Sequence, residues 1–233
     1  MKLRRPNLTT TDFILEILII VIGISIAFWV DNWKEQRAMQ KQEVEILNGL
    51  LSDLEQTDEE ILRRSGEDSV DIRSITKFIN LVDTLTATKI NVNSEEYFSW
   101  IYTISFDPVT VTFESIKASG KIELISNKKI RYEFFELQRY YAKDIIAFNN
   151  WYPEWLSKWT DPILFEYIDL KQLYSEDENI ELDREMLQQI NLNTLYAIKN
   201  SLEGKLWAYN LTYDKNQEVK ELIRAELERF RNN

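Results

Sequence analysis

Hydrophobic positions along this chain follow two regimes. From Phe13 to Val30 (FILEILIIVIGISIAFWV) they are continuous, broken by one ionisable side chain, Glu16. At ~1.5 Å per residue the run makes roughly 27 Å of helix, about the thickness of a bilayer's hydrocarbon core. Beyond it the apolar residues become periodic. Val44, Leu47, Leu51, Leu54 and Ile61 keep an a/d spacing, with Asp58 in the intervening a position. That pattern fits a short coiled coil or an amphipathic helix packed on its own domain. Residues 34–43 are rich in charge and suit a solvated stem between bilayer and domain.

The helical period continues downstream. Past Gly66, Ile72, Ile75, Phe78, Ile79 and Val82 fall on one side of a second helix over 70–85. Residues 86–93 read as a connector, and Asn93 with Glu96 forms a capping box that opens a short helix holding Phe98, Trp100 and Ile101. The stretch 105–112 (SFDPVTVT) has β-branched character, and Asp107-Pro108 stops any helix before it. Gly120 is placed as a helix C′ residue, and Ser126 as the N-cap of a helix with Ile130, Phe134, Leu137 and Tyr141 on one face. Trp151, Trp155 and Trp159 lie four apart, on one helix side. Asp161-Pro162 reads as a cap and first position of a further helix, and the chain closes with a helical run over 183–230. Gly204 or the 210–216 region interrupts that run. The predicted fold is all-α. A single N-terminal transmembrane helix continues into a stem and a multi-helix bundle, with one small strand pair near 88–112. The expected organisation is a short basic tail at 1–12, an anchor at 13–33, a helical stem at 34–65 and a soluble helical domain at 66–233.

Composition removes many chemistries. The chain has no cysteine, so disulfides, thiolate metal sites and thiol nucleophiles are absent. It has no histidine, which excludes a Ser-His-Asp triad and a conventional zinc hydrolase. No cofactor and no metal site is expected, and carboxylates, lysines and tyrosines are what remain for catalysis. The net charge of −11 argues against nucleic acid or anionic lipid as a partner of the soluble part.

A cleavable signal peptide is the rival reading of the apolar run, with Ser25-Ile26-Ala27 as a small-x-small site. The length of the run and Glu16 within it favour a retained anchor. Lys2, Arg4 and Arg5 precede the span, while Lys34, Arg37 and Lys41 follow it, so the positive-inside comparison is a tie. The α-amino group tips it toward a domain outside the cytoplasm. Trp29 and Trp33 suit the far interface. Glu16, Ile20, Gly23 and Ala27 recur at helical steps, placing a carboxyl group on one stripe with a Gly-xxx-Ala pair. Such a stripe can pack a second helix. Alternatively, Glu16 snorkels to the headgroups.

Three other clusters are candidates. Lys117, Lys121, Lys128, Lys129 and Arg131 concentrate positive charge in an acidic domain and could hold an anion, or point apart. The Trp151, Trp155 and Trp159 ladder could bind a ligand or serve as an interhelix seam. Residues 175–183 (SEDENIELD) are acidic but lack EF-hand grammar, and read as a solvated loop.

Two blocks carry a resemblance. EILIIVIGISIAFWVDNWKE (Glu16–Glu35) and FESIKASGKIELISNKKIRYEFFELQRYY (Phe113–Tyr141) together cover about a fifth of the chain. They resemble a large family of single-span bacterial membrane proteins with a Glu-led span of the form GEIxLVVIGIxIAxxINNWxE. That family also has a central LKxSGxlxLIxN block. Asp31-Asn32-Trp33 stands here for Asn-Asn-Trp, and Ile116-Lys117-Ala118-Ser119-Gly120 for Leu-Lys-x-Ser-Gly. The family's domain has no assigned activity, so the resemblance implies an architecture in a bacterial inner membrane and nothing more.

The function expected from these readings is a non-enzymatic, membrane-anchored interaction or scaffold protein. Its expected partners are membrane lipid and a second copy of the chain or another membrane protein, with no nucleic acid. The alternatives are a cytoplasm-facing ligand sensor that rearranges or permeabilises the membrane and, behind it, a carboxylate-based envelope hydrolase.

Overall fold

The computed structural model describes residues 10–102, 104–173, 175 and 179–232. Lys2, Arg4 and Arg5 of the basic tail and residues 176–178 of the acidic segment lie outside them. The order of elements is α1 (Thr10–Thr84), β1 (Lys89–Asn93), α2 (Ser94–Phe98), α3 (Val111–Ala118), α4 (Lys128–Tyr140), α5 (Ala147–Tyr167), α6 (Leu170–Leu173), β2 (Asn179–Asp183), α7 (Arg184–Leu187) and α8 (Leu192–Asn232). Short 3₁₀ turns follow α2 and α3, at Ser99–Ile101 and Lys121–Leu124. A π-helical turn, Tyr141–Ile146, joins α4 to α5 without a break.

The helix α1 unites the predicted anchor, stem and second helix in 75 residues. No proline occurs between Pro6 and Pro108, and neither Gly49 nor Gly66 stops it. A lone glycine costs about 1 kcal/mol in a helix, less than the burial that holds each side of these two. Gly49 has a specific task. A Cβ there would lie 2.9 Å from the Thr112 side chain, so glycine lets the start of α3 approach α1.

The helix α8, 41 residues long, runs back along α1. Lys205 reaches Asp68, Lys220 reaches Asp58 and Arg224 reaches Glu55, so numbers fall on one helix as they rise on the other: the pair is antiparallel. The apolar residues between and around the two helices form two cores. The distal core gathers Ile75 and Phe78 of α1 with Phe98, Trp100, Tyr152, Leu156, Ile180 and Leu182. Leu195, Ile198 and Leu202 close it from α8. The proximal core, nearer the span, joins Leu47, Leu50 and Leu54 to Phe113, Ile130, Phe134, Leu137, Tyr209, Val219 and Ile223.

The small sheet is antiparallel, but its strands come from distant parts of the chain. β1 falls in the predicted window, while its partner is β2 at 179–183, with Ile90 opposite Leu182 and Val92 opposite Ile180. Those residues face the distal core, which is why alternation is preserved in NIELD despite its acidic setting. Residues 104–110 form no strand, and the β-branched Val111 and Thr112 begin α3 instead.

Several predicted boundaries move. The N-cap of α4 is Asn127, whose Oδ1 accepts from Lys129 N at 3.0 Å, and not Ser126. No helix starts at Asp161-Pro162, because α5 runs through both Pro153 and Pro162. The final run is divided before Leu192, and α8 then passes Gly204 and 210–216 uninterrupted.

Candidate functional site: the exposed apolar face and the buried polar spine

Among the described residues one helix is long and apolar enough to cross a membrane, and the domain covers none of its apolar stretch. Glu16, Ile20, Gly23 and Ala27 are all exposed, spread over about 16 Å of one helix side. A Cβ added at Gly23 would meet nothing within 4 Å, so no contact within the fold requires glycine there. Trp29 and Trp33 are exposed at the end of the span, and the Arg37 guanidinium lies 4.1 Å from the Trp33 ring centroid.

The basic cluster does not form one site. Lys117 lies on α3, 3.5 Å from Glu114 and over the Phe113 ring. Arg131 is paired with Glu123. Lys121 borders a hollow with Ile46 and Gly49, while Lys128 and Lys129 stand exposed on the first turn of α4. Residues 109–126 are tied to α1 by a set of hydrogen bonds. Ser126 donates through N and Oγ to Glu43 at 2.6 and 2.8 Å, and Thr112 N donates to Asp53 at 2.7 Å. Val109 N donates to Thr57 Oγ1 at 2.9 Å.

The tryptophan ladder lies at the margin of the core. Trp151 and Trp159 are 46% and 39% exposed, and Trp155 between them packs half-buried on the distal core. The buried face of α5 is one position on, at Tyr152, Leu156 and Thr160. The indoles still touch in series, 6.1 Å from Trp151 to Trp155 and 6.4 Å from Trp155 to Trp159.

The sequence reading does not include a buried polar spine that lies between α1 and α8. Near the proximal core, Lys220 Nζ donates to Asp58 Oδ2 at 2.6 Å, Gln217 Nε2 to the same oxygen at 2.7 Å, and Asn216 Nδ2 to Oδ1 at 2.8 Å. The Tyr141 hydroxyl donates to Asn216 Oδ1 at 2.7 Å from the π-helical turn. Burial pushes the Tyr141 phenol up. Farther from the span, Lys205 Nζ lies 2.8 Å from Asp68 Oδ1, with side chains only 3% and 5% exposed. Burial raises the Asp68 carboxyl and Lys205 offsets part of that. Asp71, one turn on, is pushed up to about 6 by burial, with Asp68 adding repulsion. Burial, with Asp68 nearby, also raises the phenols of Tyr152 and Tyr209. The signal for this spine is present in the heptad spacing. Leu202, Lys205, Tyr209, Thr212, Asn216, Val219 and Ile223 alternate steps of three and four, and all are buried. Among the described residues no group of acidic side chains is placed to hold a metal ion.

Comparison with protein-family models, with curated proteins and with solved structures gives no match.

Proposed function

We propose that this chain is a non-enzymatic, membrane-anchored interaction protein that displays an acidic helical domain beside the membrane and associates through its span. The observation that carries the reading is the unbroken α1. Its first part is an uncovered apolar rod, and the rest of the same helix is the central element of the domain. A partner that packs on Glu16, Ile20, Gly23 and Ala27 therefore acts on a helix rigidly continuous with the core. The membrane in this reading is the inner membrane, and the domain faces away from the cytoplasm.

Topology and association are tested together. The chain has no native cysteine, so Ser175→Cys supplies a single exposed thiol. Labelling by an impermeant maleimide without breaching the inner membrane is the expected result, and labelling only after lysis sinks the orientation. Crosslinked dimers or hetero-complexes of the full chain are expected in membranes and should be lost in Gly23→Leu. Unchanged crosslinking in that variant counts against association through this face.

The bonds from Ser126 to Glu43 favour one second reading, a cytoplasm-facing sensor. A ligand on the 117–131 block would pull directly on α1 and alter packing of the span. Labelling of Ser175→Cys only after lysis would bring this reading forward.

A further inference from the structure

The end of the domain nearest the span departs from the acidic character of the chain. On α1, α4 and α8, Lys34, Arg37, Lys41, Lys128, Lys129 and Arg231 are exposed there. Among the described residues none of the six has a carboxylate partner. Farther from the span on α1 and α8, Arg63, Lys205, Lys215, Lys220 and Arg224 are paired, while Arg73 is exposed and, among the described residues, has no carboxylate partner. Carboxylates at this end are in part turned inward: Glu43 accepts from Ser126, and Glu226 accepts from Asn127 at 2.8 Å. Asp31, Glu35, Glu45 and Glu228 remain exposed, so the cations prevail by position more than by number.

Position singles out a groove of about 590 Å³ between α1 and the end of α8. Trp33, Arg37, Lys41, Val44 and Phe230 line it with two glutamines, and no carboxylate does. If α1 leaves the bilayer along its normal, Trp33 lies about 5 Å beyond Val30, within a headgroup layer about 5–7 Å deep. Helical side chains lean toward the N-terminus, here toward the membrane. Arg37 therefore folds down onto Trp33, and its guanidinium sits near the height of lipid phosphates. We infer that this groove binds the headgroup of an anionic phospholipid. Arg37 takes the phosphate and Trp33 the glycerol and first methylenes, while Lys41, one turn farther from the bilayer, adds attraction at the outer edge of the headgroup. The inference rests on the membrane-spanning reading of α1.

The test uses the full chain in nanodiscs of phosphatidylcholine and phosphatidylglycerol, released into mild detergent for native mass spectrometry. Flotation with neutral vesicles is measured first. A chain that fails to float overturns the anchor reading and this inference with it. For a chain that floats, retained phosphatidylglycerol should exceed its share of the mixture. That enrichment should fall about fivefold for each cation removed in Arg37→Gln and Lys41→Gln, and Lys171→Gln, remote from the span, should leave it unchanged. Equal retention of the two lipids, or undiminished enrichment in the double variant, overturns the groove as a headgroup site while leaving the anchor in place.

Discussion

The Asp68–Lys205 pair sets the terms at the scale of single residues. Two charges this deeply buried hold each other, and removing one strands the other. Lys205→Met should therefore destabilise the domain by about 3–5 kcal/mol, whereas Asp68→Leu with Lys205→Met should return to within about 1–2 kcal/mol of the parent. Urea unfolding of the three proteins measures both, and additive losses in the double variant would show that the pair is not coupled. Asp71 gives a pH dependence of definite sign. Its carboxyl is raised to about 6, so the fold favours the neutral form. The associated stability is complete below the unfolded value near 4 and is lost as pH rises through about 6. Asp71→Asn should match the parent at pH 4 and be more stable at pH 8, by about 2 kcal/mol once partial exposure is allowed for. A difference that stays constant with pH would exclude this origin. Single-residue signals are legible in the sequence where the backbone itself demands a residue type. Asn93 accepts from Glu96 N at 2.9 Å, and Gly120 takes φ 69°, as their positions imply. Ser126 misleads because its hydroxyl serves Glu43, a partner 83 residues away that local grammar does not reveal.

At the scale of elements, α1 is the main result. The sequence separates anchor, stem and domain by polarity, and polarity does change at each boundary, yet none of these changes interrupts the backbone hydrogen bonds. Gly66 reads as a division because glycine is a poor helix former, but burial of Ile61, Asp68 and Ile75 on either side of it outweighs that preference. Pro162 misleads in the same way, since α5 accommodates both of its prolines. Continuity has a measurable consequence. Spin labels at Ser25→Cys and Gly66→Cys should give one narrow distance near ~60 Å, the length of a straight helix over that interval. Gln40→Pro, placed where α1 carries no core residue, should shorten and broaden that distribution while leaving thermal unfolding of the domain unchanged. A broad distribution in the parent chain would mean that span and domain move independently.

For the whole molecule, net charge is a poor guide because it averages over ends that differ. The −11 of the chain sits mostly away from the span, while Lys34, Arg37 and Lys41 stand exposed beside it. The same separation bears on independence of the parts. The apolar stretch of the span contributes nothing to either core, and both cores close using residues from Ile46 onward. A fragment beginning at Lys34 should therefore fold without the span, remain monomeric, and unfold within a few degrees of the full chain. Circular dichroism and sedimentation velocity check this. Association retained in the fragment would move the partner surface from the Glu16–Ala27 stripe to the domain, with the exposed Trp151 and Trp159 as the next place to look. Loss of cooperative unfolding would instead show that α1 needs its membrane segment to nucleate, because the core half of the helix is then too weak to hold α8 alone.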